Sequence, residues 1–289
     1  MAYKIYTTFT EDLYDRWIAE GRGSGQCASY VPWLQPGDVP TKRGHFERYV
    51  CPKSQRQTAL LSGVESWHRL FYDSCLRVAY VHEQVPLDRE RTRHIAKSLG
   101  IDHPIDSKTR VDVVMTTDHL VHVRQADGTL KKYPRSSKSH SSVLTFNDSE
   151  HAEIEHRYWL EMEAEPWKMI TDSLACIPQV LKDNLEKLKP WRTPPMHEDT
   201  PGNHALLRQE VKAELLGEKA AMSVGKFCLQ LDAKRHFPTG TSATTFYFLV
   251  FNNQLIAHLH LTPLLNQSVQ DIGARTRIHD EQQRSEAKQ

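Results

Sequence analysis

Apolar and polar residues alternate along Val111–Val123, a stretch that also carries two acids, Asp112 and Asp118. Alternation with a period of two predicts a half-buried β-strand, and this strand would deliver Asp118 to a polar edge of a sheet. Three further segments are predicted to be strands, and these are Val78–Leu87, Leu130–Lys138 and Trp167–Thr171. The sequence therefore predicts a sheet built around the Asp118 strand.

Segments whose apolar residues have helical spacing precede and alternate with these strands. The spacing predicts helices over residues 8–20, from Ser62 onward with a stripe of Val64, Trp67, Leu70 and Phe71, and over 88–99 and 147–161. Residues 35–58 are rich in proline, glycine and charge, and we expect a long surface excursion there. Strands that alternate with helices in this order predict an α/β fold, with helices flanking a mixed central sheet.

The C-terminal part has a different pattern. Helices are predicted over residues 177–188, 204–216 and 222–235, and a hairpin over Thr244–Phe251 and Leu255–His260. Helices followed by a hairpin are typical of a small winged-helix-like α+β domain, which binds DNA or a protein. We therefore predict a first domain over residues 1–170, a second over 171–268 and a disordered polar tail over 269–289.

Composition limits the classes of protein that are possible. The chain has 289 residues and no apolar run long enough to span a membrane. Its five cysteines are scattered and never form a C-x-x-C pair, which indicates a reducing cytoplasm and argues against a zinc finger. The formal net charge is +1, so binding to DNA would rely on local basic patches or on a partner protein.

Three candidate catalytic residues follow one another in the order Glu65, Asp118 and Lys138. This is the order of a metal-dependent nuclease core, in which acids hold the metal ion and a lysine lies beside the attacking water. Ser62 and Glu65 also form the pattern of a helix capping box, and spacing alone favours that structural role. The presence of Asp118 and Lys138 favours the catalytic role instead.

At these residues the sequence resembles the TnsA family, the endonuclease subunits of heteromeric cut-and-paste transposases. The similarity stays in register from about residue 10 to residue 190. Each matching segment is weakly specific alone, and together they are specific. The segments are Glu20–Gly25, Tyr30–Leu34, Leu60–Ser62 with Glu65, Glu83–Leu87, Thr92–Ala96, Gly100–Pro104, Val111–Asp118 and Arg157–Trp159.

The resemblance implies a restriction-endonuclease-like catalytic domain followed by a winged-helix-like domain. It also implies a bacterial protein that joins the nucleoid during transposition and nicks the 5′ strand at each transposon end. A TnsB-type transposase would cut and join the other strand, and a TnsC-type ATPase would contact the C-terminal region. The family's catalytic residues fall on Glu65, Asp118 and Lys138. The cofactor expected is Mg²⁺, with Mn²⁺ as a substitute.

One segment departs from the family pattern. The family has an apolar strand with a glutamine two residues before the lysine, whereas this chain has Pro134 and Ser136. A serine is a poorer metal ligand than an amide oxygen, so the metal set would be Glu65 and Asp118 with Ser136, or with the Ser137 carbonyl and water. Alternatively the lysine register is shifted, and Lys131 or Lys132 takes the place of Lys138.

Two other functions fit the same residues. The first is an autonomous restriction- or repair-type endonuclease that needs no partner. The second is a non-catalytic DNA- or partner-binding protein with a decayed nuclease fold, for which Pro134 and Ser136 are the evidence. His119 and His122, and His258 and His260, form pairs that could suggest zinc, but a zinc site needs more ligands, and we expect them to lie on strand surfaces.

Overall fold

The computed structural model describes residues 8–38, 47–139, 146–162, 164–172, 177–192, 201–218 and 221–274. The chain divides into two compact units, Met1–Cys176 and Ile177–Gln289. Residues 193–200 lie outside the described residues, as does most of the predicted tail of residues 269–289, namely 275–289. Among the described residues, no helix is both long and apolar enough to cross a membrane.

A mixed four-stranded sheet forms the centre of the first unit. Its strands are β3 (Val78–Pro86), β4 (Thr116–Arg124), β5 (Leu130–Lys138) and β6 (Lys168–Thr171), in that spatial order. The β3–β4 and β4–β5 pairs are antiparallel, while β5 and β6 are parallel. The strand expected at 111–123 therefore begins later, at Thr116, and the residues before it form an isolated bridge between Ile105 and Asp112.

Helices cover both faces of this sheet. On one face, α3 (Arg89–Leu99) and α4 (Phe146–Glu161) enclose a core that includes Leu87, Leu120 and Ile154. On the other, α2 (Gly63–Ser74) contributes Tyr72, which packs on Val81 and Val121. The N-terminal helix α1 (Glu11–Ala19) adds a smaller core with Trp33. This confirms the predicted α/β architecture, and it agrees with a restriction-endonuclease-like fold.

One expectation for this unit is wrong, and a second needs refinement. Within the predicted surface excursion, Glu47–Val50 (β1) and Gln57–Leu60 (β2) form an antiparallel hairpin that buries Tyr49 and Leu60; residues 39–46 lie outside the described residues. In α2 the apolar stripe is only partly buried, because Leu70 is 1% exposed whereas Phe71 is 39% exposed. Much of the buried face is polar, and the polar residues there include Glu65, Ser66, His68, Arg69 and Asp73.

The second unit is mainly helical over its described residues. Its helices are α5 (Gln179–Leu188), α6 (Pro201–Gly217), α7 (Val224–Arg235) and α8 (Thr241–Phe251). The Asn184 side chain binds three backbone groups of a distant loop, those of Leu259, Thr262 and Leu264. The Asp232 carboxylate accepts N–H bonds from Gly240 and Ser242 and so stabilises the start of α8.

The hairpin predicted over Thr244–His260 is wrong, since its first half is the helix α8. The short strand β7 (Leu255–Ile256) pairs instead with β8 (Gly273–Ala274), which lies in the segment predicted to be tail. The wing expected from residues 244–260 is therefore missing from the described part of this unit. The winged-helix assignment remains a prediction.

Candidate active site

Glu65 lies in the first turn of α2, on the face that packs against the sheet. Ser62 is the N-cap residue, and its hydroxyl accepts from the Glu65 N–H at 3.1 Å. The Glu65 carboxyl in turn accepts from the Ser62 hydroxyl at 2.9 Å and from the Leu61 N–H at 3.2 Å. Glu65 thus completes the helix cap and at the same time presents a buried carboxyl, so the structural and the catalytic interpretations are compatible.

Asp118 lies on β4 and faces the same polar pocket. Its Oδ2 atom accepts the backbone N–H of Ser137 on the neighbouring strand at 2.7 Å. Burial raises the pKa of Asp118, although the Ser137 N–H and then the Lys138 charge act in the opposite direction. Burial raises the pKa of Glu65 to about 8, and the charge of Asp118 contributes in the same direction. A buried and a half-buried carboxyl therefore share one site of low dielectric constant.

Gln84 on β3 connects the two carboxyls. Its Nε2 donates to Glu65 Oε2 at 3.3 Å and to Asp118 Oδ1 at 3.1 Å. Its side chain is buried, and its backbone has a positive φ of 49° although it is not a glycine. Gln84 lies in Glu83–Leu87, a segment that matches the family, but its role is not predictable from the sequence because cross-strand neighbours are not visible there.

The structure separates the three candidate lysines. Lys138 ends β5, and its charge lowers the pKa of Asp118. Lys132 pairs with His122, and Lys131 with Val123, which places them four and five residues along β4 from Asp118. At about 3.4 Å per residue, that is a distance of about 14–17 Å. Lys131 is also exposed and ion-paired with Glu165 at 2.5 Å. This arrangement favours the register that uses Lys138.

The two serines before Lys138 point their hydroxyls at other partners. The Ser136 hydroxyl donates to Glu155 at 2.5 Å, and the Ser137 hydroxyl is 2.7 Å from Nδ1 of His68. The metal-ligand roles of both serines remain predictions, and of the two only the Ser137 backbone contacts Asp118. Pro134 fits its strand because it lies just outside the stretch of β5, residues 135–138, that pairs with β6.

Glu155 on α4 is a buried carboxyl that sequence analysis missed. It accepts hydroxyl hydrogen bonds from Ser136 and, at 2.6 Å, from Thr117. Burial raises the pKa of Glu155 to about 7, and the two hydroxyls act in the opposite direction. In the sequence, Glu155 lies two residues before Arg157, inside the predicted helix. A charged side chain that is directed at the core of a helical layer is unusual, and this is the signal by which Glu155 could have been found.

The paired histidines are not on strand surfaces. His119 and His122 are both buried, with exposures of 0% and 4%. His122 stacks on Tyr80 with ring centroids 4.2 Å apart, and His82 stacks on Tyr30 at 4.0 Å. The expectation of surface histidines at 119 and 122 is therefore wrong, because the sheet is covered on both faces.

The donor set of the site is compatible with a hard divalent cation. Glu65 and Asp118 supply carboxyl oxygens, and a cation held between them would compensate the negative charge of both groups in their ionised form. Among the described residues, no group of three or more His, Cys, Asp or Glu side chains is placed to hold a metal. Mg²⁺ suits such a sparse set, since it commonly binds one or two carboxylates together with water and substrate phosphate.

A mixed sheet flanked by helices, with an acid on a helix, an acid on a strand and a lysine on the next strand, defines a restriction-endonuclease-like core. No protein-family model matches the chain. Over 249 residues, which are 86% of this chain and 86% of its relative, the sequence is 31% identical to the transposition protein TnsA of transposon Tn7 from Escherichia coli. The chain belongs to the TnsA family.

Proposed function

We propose that this protein is the endonuclease subunit of a cut-and-paste transposase and that it nicks the 5′ strand at each transposon end in a metal-dependent reaction. The single observation that carries the proposal is the pair of carboxyls, the buried Glu65 and the half-buried Asp118, both bound by one amide of Gln84. Membership of the TnsA family supports the biological setting, since the Tn7 relative is a transposition protein.

Each residue has a role that follows from its position. Asp118, held by the Ser137 N–H, and Glu65, held at the start of α2, would bind Mg²⁺ through oxygen atoms. The bound ion would activate a water molecule and offset charge at the scissile phosphate. Lys138 would orient that water and stabilise the negative charge that develops, as a compact cation can. The surrounding fold keeps these groups in place before DNA arrives.

The partners follow from charge as well as from family membership. With a net charge of +1, the chain has little bulk electrostatic attraction for a duplex. We expect a TnsB-type transposase to recognise the ends and to cut and join the 3′ strand. A TnsC-type ATPase would contact the C-terminal unit. Nicking by this chain would therefore depend on the assembled complex in the bacterial cytoplasm.

Strand-resolved cleavage of end-labelled transposon DNA tests the proposal. The wild type is compared with Asp118→Ala and Lys138→Ala in Mg²⁺, with and without the cognate partner proteins. We expect 5′-strand nicking that needs the partners and is lost in both variants. Lys131→Ala is the matched control, because Lys131 lies on the same strand but binds Glu165 at the surface. This control should nick like the wild type.

The alternatives give different results. Nicking of bare duplex by the isolated chain would indicate an autonomous endonuclease. Absence of nicking with fully active partners would indicate a non-catalytic protein with a decayed nuclease fold. Nicking that survives Lys138→Ala and is lost in a Lys131 or Lys132 variant would show that the lysine register is shifted. Nicking by Asp118→Ala at the normal rate would refute the active site itself.

A further inference from the structure

The backbone of Gln84 has a conformation that strand residues rarely adopt. Its φ of 49° lies in the left-handed region, although the flanking residues keep their pairing, Glu83 with His119 and Val85 with Thr117. A residue other than glycine pays a conformational cost there, and such strained positions cluster at functional sites. The Gln84 carbonyl accepts from the Trp33 N–H at 3.1 Å, which fixes this conformation from outside the strand.

The side-chain amide has a defined orientation. Its NH₂ group faces the two acceptors, Glu65 Oε2 and Asp118 Oδ1, while its oxygen accepts from the Thr116 hydroxyl at 3.1 Å. Every polar atom of the amide is therefore engaged, and the side chain is 2% exposed. An amide held in this way keeps the two carboxyls at a fixed separation without adding a charge of its own.

We propose that Gln84 is a positioning residue that sets the separation of Glu65 and Asp118 and so prepares the pair to bind a divalent cation. This inference rests on the proposed function, because it needs the two carboxyls to be the metal site. Gln84 acts on the metal through the carboxyls, as residues that hydrogen-bond to metal ligands do. Loss of such a contact typically weakens metal binding by about 10- to 100-fold.

Gln84→Met is the decisive variant. Methionine has nearly the same length and shape and occupies the same backbone, but it cannot donate to either carboxyl. Binding of Mn²⁺ to the full chain without DNA is measured by the electron paramagnetic resonance signal of the free ion. We expect the dissociation constant to rise about tenfold. Partner-dependent nicking should need correspondingly more Mg²⁺ and should recover at high Mg²⁺, which a general structural defect would not produce.

Gln55→Ala is the matched control, because Gln55 is also a glutamine with a left-handed backbone, at φ 55°. It lies in the turn between β1 and β2, where its amide donates to the Pro52 carbonyl at 2.6 Å. We expect Gln55→Ala to bind Mn²⁺ like the wild type. Gln84→Ala is a second variant at the site, and unfolding curves of all variants are recorded at the same temperature.

The outcomes are distinguishable. Wild-type Mn²⁺ affinity in a folded Gln84→Met or Gln84→Ala protein would overturn the inference. So would nicking that stays low at saturating Mg²⁺, or a failure of both variants to fold, since Gln84 would then serve the fold alone. Asp118→Ala with unchanged Mn²⁺ binding would instead reject the metal site on which the proposed function depends. Weak Mn²⁺ binding in the Gln84 and Asp118 variants, together with normal Mn²⁺ binding in the Gln55 control, would support both the positioning role of Gln84 and the proposed metal site.

Discussion

Replacing Glu83 by alanine should cause a large loss of stability in the first unit. The Glu83 carboxylate is fully buried and binds the Arg56 guanidinium through two hydrogen bonds, at 2.7 and 2.5 Å. It also lies 3.4 Å from the Arg69 guanidinium, which is itself fully buried. Removing one member of a buried ion pair leaves its partner's charge uncompensated, which costs about 3–5 kcal/mol.

Arg69 keeps one partner in this variant, because its Nε donates to Asp73 at 2.9 Å. The main loss therefore falls on Arg56, which joins the β1–β2 hairpin to β3. For a unit of this size, 1 kcal/mol changes the melting temperature by about 2–4 °C. We expect a decrease of about 6–20 °C for Glu83→Ala.

Chemical and thermal unfolding of the full chain measure this effect. Unfolding is monitored by a spectroscopic signal that reports on the first unit. The control is Glu90→Ala, because Glu90 forms an exposed pair with Arg93 on α3. Such surface pairs contribute about 0.2–1 kcal/mol, so the control should change little. A double-mutant cycle that combines Glu83→Ala with Arg56→Met isolates the interaction free energy between Glu83 and Arg56. A loss below about 1 kcal/mol in Glu83→Ala would refute the reasoning.

Three further predictions concern the site and its surroundings. Glu155→Ala removes the acceptor of two buried hydroxyls and should lower partner-dependent nicking at least tenfold, as measured in the strand-resolved assay. Ser62→Ala removes the cap of α2 and should cost about 1 kcal/mol in denaturant unfolding, with weaker Mn²⁺ binding because Glu65 loses a contact. Burial lowers the pKa of His82 to about 3 and of His122 to about 4. Between about pH 6.5 and pH 3 the unfolded chain therefore binds more protons than the folded chain. The free energy of unfolding should decrease as the pH is lowered through this range, with a smaller slope in His122→Phe.

Local signals in the sequence were sufficient for much of the first unit. Thr10, Ser62 and Asp88 all cap helices, and Gly100 ends one in the left-handed conformation, as their positions in the sequence suggest. Capping depends on contacts within a few residues, so the chain itself encodes it. The Asp118 strand was found for the same reason, although its start was placed five residues too early.

Long-range contacts explain the failures. Residues 244–251 are a continuous run of β-branched and aromatic residues with one leucine, and periodicity alone cannot assign such a run to a helix or a strand. The helix there is stabilised by Asp232, which belongs to another helix. Likewise, the polar face of α2 is buried because the sheet and the β1–β2 hairpin supply its partners, such as Gln84 for Glu65 and Tyr49 for Asp73. Gln84 and Glu155 were missed because their roles depend on neighbours that lie across strands or helices.

The parallel pairing of β5 with β6 sets the order in which the site can form during protein synthesis. Parallel strands need a crossover, and here α4 provides it, so β5 gains its second neighbour only after residue 171 has been made. The Nε2 atom of His68 also lies 3.4 Å from the Thr171 carbonyl, which ties α2 to that last strand. Because domains generally fold as units from the N-terminus, the carboxyl pair can be complete on the ribosome before the second unit exists. Newly made chains would then carry the assembled pair of carboxyls before the second unit has been made, and under the proposed function cleavage at that stage would be restrained by the absence of the partner proteins.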